Sequence, residues 1–591
     1  MSFVDNGSYT FLDFRLDAAE RTLFKNDVRL PLTDKAFEVL CLLVREHGLL
    51  VAKERFFDEI WQDTIVEPNN LDKCISLIRR TLGEQKDGYQ FIETVRGHGY
   101  RFVADLKDGT ETQPANGERE LSKINTLAVL PFTNFGNDSQ DEYFCEGVAE
   151  EIINSLTRVK DLRVAARTSA FSFKGKPMPI GSIARALGVA NILEGSLRRS
   201  GDKLFVTVRL IEGRSGYSIW SEQYDRSVDN IFALQDEITI SIIEALNVKL
   251  GVDERTAVLK KPTSSTDAYL LYMKGQYYRW RLIQDNFANS LKYFEQSVEA
   301  DPTFALGYFG IATYYGYGTA WGMLPIRPEK AWPMAEAAAK KAFELDPTSR
   351  ELRLSFAAFD LVNYRRWSEA GRQIESVAAD HPEFPEIHHL YSFYLLALGL
   401  FDKAIAEARR ALKLDPLSQL LSRFVGVCYF YARRYDEAIA QFLDAAELEP
   451  NNPLVHEMLG GVYLRTGQRE KALASWLRAA RLSEDDDTAE FISARVGDDQ
   501  GNGVADVIQW MASRKLEKLN AQSEAVEYIP SIYFAQQYII LNDLENAFKW
   551  LDRACGERNV FPLLINSDPF YDPLRGDSRF ANLWERISLA E

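Results

Sequence analysis

Phe91-Ile92-Glu93-Thr94-Val95-Arg96-Gly97-His98-Gly99-Tyr100-Arg101-Phe102-Val103 is the stretch on which the reading of this 591-residue chain turns. Two short apolar and aromatic runs flank a tip bracketed by Gly97 and Gly99, with Arg96 at its edge, the pattern of a hairpin with a basic tip. Just upstream, Leu71, Ile75, Ile78 and Leu82 fall at helical spacing and predict one apolar stripe on a helix from about Asn69 to Gly83. The opposite side carries Asn69, Asn70, Lys73, Ser76, Arg79 and Arg80. Arg can pair bidentately with guanine and Asn with adenine, while Ser and Lys suit phosphate oxygens. A solvated helix face would look the same by itself; the hairpin that follows, with Thr94 and Arg96, tips the reading toward nucleic acid.

Further outward, Thr33 stands as an N-cap before Phe37, Leu40, Cys41 and Val44, predicting a helix that ends near Gly48, and a shorter helix fits Lys53 to Trp61. Residues Tyr9 to Leu32 alternate in short apolar runs broken by polar turns, a small antiparallel sheet. Sheet, three helices and terminal hairpin together resemble the OmpR-type (OmpR/PhoB) winged-helix domain of response regulators. The resemblance rests on Leu32-Thr33, Phe37, Leu40, Gly48, Trp61, the run Ile75 to Gly83 and Thr94-Val95-Arg96-Gly97-x-Gly99-Tyr100, and covers nearly all of residues 8 to 104. It implies that the third helix enters the major groove of double-stranded DNA and that Arg96 reaches a neighbouring minor groove or phosphate. It also implies that the loop Gln62 to Pro68 touches RNA polymerase and that two domains bind adjacent half-sites as a dimer on DNA.

The charge needs to be located. The chain is net −17, and residues 1 to 104 carry 14 Lys and Arg against 17 Asp and Glu, so most of the acid lies further on. Within residues 69 to 101 six bases face four acids, a local +2, which argues for paired rather than single-domain binding. The five cysteines lack C-x-x-C spacing, so no disulfide framework or thiolate zinc site is encoded, and no run is long and apolar enough to span a bilayer. The expected setting is the cytoplasm, with no membrane partner. Only about eight residues precede the winged helix, so no receiver domain is expected, and nothing after it resembles the membrane helix of CadC-like regulators.

Residues 105 to 123 read as a polar, flexible linker. A compact α/β domain is expected over 124 to 251, with strands at Thr126 to Phe132, Leu162 to Ala166, Val189 to Leu197, Lys203 to Ile211 and Tyr217 to Tyr224, and helices at Glu142 to Leu156, Ile180 to Leu187 and Ile231 to Leu250. On Ala128-Val129-Leu130-Pro131-Phe132, Leu193 to Arg198 and Phe232-x-x-Gln235-Asp236 it resembles the TolB amino-terminal-like domain. Glu194 with Arg198 and Arg199 is a candidate anion site there, against the plainer reading of an ion pair at a sheet edge.

From residue 265 to 591 prolines recur at 302, 347, 382, 416 and 450, separations of 45, 35, 34 and 34 residues, with an insertion expected between Gly316 and Pro328. Small and aromatic residues repeat at fixed offsets: Gly426, Tyr429, Ala438, Phe442 and Ala445, then Gly460, Tyr463, Ala472, Trp476 and Ala479. This is similar to tetratricopeptide (TPR) proteins, with about seven units and a capping segment near Asp568 to Ile587, and implies a concave groove for a protein or peptide partner. Tyr277, Tyr278, Trp280 and Arg281 are candidate groove contacts that would serve equally as inter-repeat core.

Other motifs are weak. Asp498 to Gly503 has Gln500 and Gln509 where a calcium loop needs acids, and His381, His388 and His389 have no zinc-spaced partner. No phosphate loop or nucleophile-base constellation is present, so neither catalysis nor a cofactor or metal is expected. The fold class expected is thus multidomain, α+β and all-α: a winged helix-turn-helix, a small α/β domain and an α-solenoid of TPR hairpins. The expected function is a one-component DNA-binding transcription regulator; the alternative is a TPR adaptor whose winged helix makes protein contacts.

Overall fold

The computed structural model describes residues 8–17, 21–25, 28–30, 32–47, 51–60, 69–83, 91–95, 99–104, 106–107, 125–136, 141–280, 284–495 and 503–588. They form two compact units, residues 1–122 and 123–591.

In the first unit, β1 (Ser8–Phe11), β2 (Phe14–Asp17), β3 (Thr22–Lys25) and β4 (Val28–Leu30) form an antiparallel meander. Helix α1 (Asp34–Arg45) follows; Thr33 does occupy its N-cap, with its carbonyl, not its hydroxyl, making the first bond, from Phe37 N at 2.8 Å. Then come β5 (Val51–Ala52), α2 (Lys53–Ile60), α3 (Asn69–Leu82) and the hairpin β6 (Ile92–Val95) and β7 (Gly99–Phe102), with β5 pairing β7. A last strand, β8 (Leu106–Lys107), pairs with β1 and lies just past residue 104, in what reads from sequence as linker. The core gathers Phe11, Phe14, Phe37, Leu40, Phe56, Phe91 and Phe102 with the α3 stripe Leu71, Ile75, Ile78 and Leu82, all buried. At about 1.5–3 kcal/mol for each large apolar side chain buried, that stripe outweighs helix propensity in holding α3 down.

The second unit starts with an α/β layer: β9 (Asn125–Val129), β10 (Thr133–Asn134), α4 (Glu142–Leu156), β11 (Leu162–Val164), α5 (Arg167–Phe171), α6 (Ile180–Leu187), β12 (Asn191–Ser200), β13 (Lys203–Glu212), β14 (Ser218–Ser227) and α7 (Ile231–Ala245). Its sheet is mixed, in order β11-β9-β12-β13-β14, parallel across β11, β9 and β12 and antiparallel beyond, with β10 added beside β12. The sequence pattern predicts one helix to Leu250, but α7 stops at Ala245: Asn247 takes φ 54°, and a separate α8 (Val252–Val258) follows.

The rest is helical: α9 (Thr266–Arg279), α10 (Gln284–Ala300), α11 (Ala305–Ala320), α12 (Pro328–Leu345), α13 (Arg350–Phe359), α14 (Trp367–Asp380), α15 (Pro385–Ala397), α16 (Phe401–Leu414), α17 (Gln419–Tyr431), α18 (Tyr435–Leu448), α19 (Pro453–Arg465), α20 (Arg469–Leu482), α21 (Asp486–Ser493), α22 (Gly503–Ala525), α23 (Ser531–Ile540), α24 (Leu544–Gly556), α25 (Phe561–Leu564) and α26 (Ser578–Ser588). Antiparallel hairpins α9/α10, α11/α12, α13/α14, α15/α16, α17/α18, α19/α20 and α23/α24 stack in order. The expected insertion after Gly316 is partly helix, because α11 continues to Ala320 before a link to Pro328. Among the described residues no helix is long and apolar enough to cross a membrane.

The array closes on itself. Near its end, Glu527 accepts from Lys330 at 2.5 Å, the Arg558 carbonyl accepts from Trp332 Nε1 at 2.8 Å, and Val560 N donates to Ala320 O at 3.0 Å, so the last hairpin meets the second. Residues 555 to 588 then cross the turns inside successive hairpins. Arg365 donates to Cys555 O and Glu557 O at 2.7 and 2.9 Å, Ser567 donates to Ala397 O at 3.4 Å, Tyr431 donates to Asp568 at 3.0 Å and Arg465 donates to Pro569 O at 3.0 Å. Trp367 Nε1 finally donates to Ile587 O at 3.2 Å. The segment expected as a simple cap thus fills one rim of the superhelix. The α/β layer meets turns between hairpins: the Thr168 and Ser169 hydroxyls bond Asp415, and Lys260 pairs with Asp346 at 3.0 Å.

Candidate nucleic-acid interface

Because Leu71, Ile75, Ile78 and Leu82 bury one side of α3, the residues between them are forced outward. Lys73, Ser76 and Arg80, at i, i+3 and i+7, are exposed along a single face, and Asn70 is half-buried beside them. Neither Lys73 nor Arg80 has an ion-pair or hydrogen-bond partner among the described residues. Ser76 Oγ donates to the Asp72 carbonyl one turn back at 2.8 Å, leaving its lone pairs outward. The side chain of Asn69, all of Arg96 and the loop Gln62 to Pro68 lie outside what the structure describes.

Arg79 departs from the expected role. Its Nη2 donates to the Ile92 carbonyl at 2.7 Å and to Thr94 Oγ1 at 2.8 Å, so α3 is tied directly to β6 of the hairpin. A guanidinium so engaged sets the angle between helix and hairpin, and Thr94, the other half of the tie, is likewise turned to a protein partner. A second tie, with no signal in the sequence pattern, joins α3 to β7: Tyr100 donates to Asp72 Oδ1 at 2.5 Å, and Lys53 of α2 stands 3.4 Å from the same oxygen. The Tyr100 bond foremost, with Lys53 assisting, holds the Asp72 carboxyl below its ordinary range against partial burial. Burial and then the Asp72 contacts push the Tyr100 phenol up to about 12. Across the hairpin Arg101 pairs with Glu93 at 3.0 Å, so one more base of the local +2 is already compensated. On the described part of α3, Lys73 and Arg80 are the exposed bases that could meet phosphate.

The other candidates disperse. Glu194 faces Arg209 across the β12/β13 register at 3.8 Å, Arg198 lies over the Phe205 ring at 4.7 Å, and Arg199 reaches Gly201 O at 3.1 Å and Asp141 at 3.8 Å, so the three share no pocket. His388 is held between Glu407 (2.6 Å) and Pro382 O (3.0 Å), while His381 faces Glu383 at 3.8 Å. Tyr278 stacks on Tyr293 with centroids 5.4 Å apart, as inter-helix packing; Trp280 is flanked by Arg279 and Arg167 at 4.3 and 4.7 Å. Arg281 and the weak calcium motif at Asp498 to Asn502 lie outside the described residues.

Residues 27–102 match the family model for the C-terminal domain of transcriptional regulatory proteins, and residues 394–453 and 426–488 match the tetratricopeptide repeat. The transcriptional regulator HilA of Salmonella paratyphi A is 23% identical over 429 residues, covering 70% of this chain and 71% of that protein. A candidate adenylate cyclase of Rhizobium meliloti is 32% identical over 231 residues, 38% of this chain but only 39% of its own length. Among solved structures, the Thermotoga maritima response regulator DrrB, an OmpR/PhoB homologue, is 32% identical over 16% of this chain and 44% of its own, with a TM-score of 0.16. The N-terminal unit is thus an OmpR/PhoB-type winged helix, and it is followed by a mixed-sheet α/β layer and a TPR array.

Proposed function

We propose that this chain is a one-component transcription regulator that reads double-stranded DNA with α3 and the adjoining hairpin, and that its TPR array engages a protein partner. The observation that carries this is the exposed row Lys73, Ser76 and Arg80 on a helix whose opposite side is locked into the core and whose angle to the hairpin is set by Arg79, all within the stretch matching regulators. In this reading Asn69, Asn70 and Arg80 face base edges, Lys73, Ser76 and Arg96 face phosphate or the minor groove, and Arg79 with Thr94 positions the hairpin. The modest local charge makes two copies on adjacent half-sites the working unit, with the loop Gln62 to Pro68 available to RNA polymerase. The role requires no catalytic residue or cofactor and places the protein with chromosomal DNA in the cytoplasm.

We further infer that the α/β layer is a TolB amino-terminal-like module coupling the array to the DNA-binding unit. Because residues 555 to 588 already occupy one rim of the superhelix, a protein partner would engage other surfaces of the array. A band-shift series on promoter fragments tests the DNA reading. Wild type should bind sequence-selectively, and Arg80→Ala should lose about 1–3 kcal/mol at the preferred site if it reads a base. Equal binding by wild type, Lys73→Ala and Arg80→Ala at physiological salt would falsify this assignment of the reading surface and leave the adaptor role.

A further inference from the structure

Strand β14 is the outermost strand of the mixed sheet, bonded to β13 on one side and, among the described residues, to no strand on the other. Its residues, Ser218 to Ser227, include no proline, glycine or lysine, and the register shift against β13 lies at its start, beside Leu210 and Ile211. One bond fixes which way its backbone groups point. Val228 N donates to Asp202 O at 2.8 Å, which makes these two residues a bonded pair. Bonded pairs of an antiparallel ladder recur at every second residue, so Arg226, Tyr224 and Glu222 turn their N–H and C=O groups to β13. Those of Ser221, Gln223 and Asp225 therefore point away from the sheet. Among the described residues nothing bonds to the outward groups of Ser221 or Gln223, and the Asp225 carbonyl accepts only from the Arg226 guanidinium, at 3.0 Å. Ser221, Glu222, Gln223 and Asp225 are all exposed, so the edge is uncovered.

An open edge of this length is a template for another strand, and folds ordinarily blunt it with proline, lysine, a bulge in mid-strand or a covering segment. What β14 carries instead is a self-complementary pattern. Glu222 accepts from the Tyr224 hydroxyl at 2.9 Å and meets no cation within 4.0 Å among the described residues. Arg226, as far beyond Tyr224 as Glu222 is before it, pairs with Glu237 of α7 at 2.7 Å. Two β14 strands related by a two-fold axis can bond only through their outward residues, so the axis must pass through a residue and not between two. An axis at Glu222 would set two carboxylates face to face, and one at Gln223 would set Glu222 against Tyr224. An axis at Tyr224 sets each Glu222 opposite Arg226 of the second copy, and each Gln223 opposite Asp225, a carboxylate to which its amide can donate.

We propose that β14 pairs antiparallel with β14 of a second copy of this chain, about a two-fold axis at Tyr224, making one continuous sheet across a homodimer. Ser221 with Ser227 and Gln223 with Asp225, each pair occurring twice, supply about eight backbone hydrogen bonds, and the two Glu222–Arg226 pairs fix the register. The same strand lies on both sides of the interface, so the assembly closes at two copies and no edge is left open there. The choice of a second copy over a foreign strand rests on this charge match and on the two-copy regulator reading.

The test is sedimentation equilibrium of the intact chain without DNA, at protein concentrations from about 0.1 to 100 μM. Wild type should be a dimer at the upper end of that range. Glu222→Lys and Arg226→Glu each set like charges across the axis at both pairs, and each should raise the dimer dissociation constant by about tenfold or more. In an equimolar mixture of the two variants the mixed pair again opposes unlike charges at both places. It should associate as tightly as wild type, which a misfolded variant would not do. A monomer at every concentration, variants that dimerise as wild type does, or a mixture no tighter than its components overturns the proposal, and a monomeric wild type leaves β14 to a strand of another protein. Because no DNA is present, failure here leaves the α3 reading surface standing, and failure of the band-shift leaves the β14 dimer standing.

Discussion

At the scale of single residues, Arg79 and Arg80 are neighbours with opposite duties. Arg79 bonds the Ile92 carbonyl and Thr94, whereas Arg80 projects free of described partners. Hydrogen bonds from a charged donor are worth about 1.5–3 kcal/mol, so Arg79→Ala should lower the urea midpoint of the winged helix by a corresponding amount. Arg80→Ala, at an exposed helical site, should move stability by no more than about 0.5 kcal/mol. If both unfold alike, the tie between α3 and β6 has no energetic weight. For Lys73→Ala the readout is salt: the slope of log K against log salt should fall by about 0.9 if one phosphate contact is lost. A slope unchanged from wild type would remove Lys73 from the interface. Sequence spacing put Lys73, Ser76 and Arg80 on one face, and they are there; it also put Arg79 there, because helical periodicity says nothing about a strand packed alongside.

At the scale of elements, hairpin packing in the array depends on glycines that admit an aromatic ring. A Cβ on Gly426 would stand 2.6 Å from the Phe442 ring, and one on Gly460 would overlap Trp476. Gly426→Ala is expected to cost about 1–3 kcal/mol despite the better helix propensity of alanine, since overpacking a filled core exceeds the propensity gain of under about 1 kcal/mol. A thermal midpoint equal to or above wild type would show that α17 and α18 can part cheaply. In the closing segment, Asp568 accepts from Phe570 N at 2.8 Å and from Tyr431, and burial raises its pKa from 3.8 to about 6. A carboxyl whose folded pKa lies above its unfolded one binds its proton more tightly when folded, so this group adds stability as pH falls from about 6 toward 4 and withdraws it as pH rises. Asp568→Asn, which removes the charge, keeps one oxygen to accept from Phe570 N and turns an amide NH2 that can only donate toward the Tyr431 hydroxyl, should flatten that part of the stability profile; a profile identical to wild type would assign the dependence elsewhere.

At the scale of the whole molecule, closure is the property with the largest consequence. Leu563, Ile565, Tyr571, Leu574, Phe580, Leu583 and Ile587 are all buried against the array. Removing residues 557 to 591 strips that apolar cover and the Glu557, Arg558 and Pro569 carbonyls to which Arg365, Trp332 and Arg465 donate, leaving Arg365 only the Cys555 carbonyl. The truncated protein should lose its cooperative array transition in calorimetry and become sensitive to proteases along α11 to α19. The winged helix, a separate compact unit, should keep its own transition and its DNA binding. A truncated chain that melts like the intact one would mean that stacking of neighbouring hairpins alone sustains the array.

What the sequence determined by itself is whatever depends on near neighbours in the chain. The apolar stripe of α3, the alternation of β6 and β7, and the proline period with its small and aromatic offsets each follow from helix or strand repeat, and they were enough to name the winged helix and the TPR array. They also placed the exposed row that makes up the described part of the candidate interface. What only the tertiary structure decided depends on groups brought together across long stretches of chain: Arg79 turned to the hairpin, Tyr100 set on Asp72, and residues 555 to 588 laid across five hairpins. Such pairings leave no periodic mark, because the repeat that fixes each helix is local, while the curvature that closes the superhelix is a small rotation summed over every hairpin.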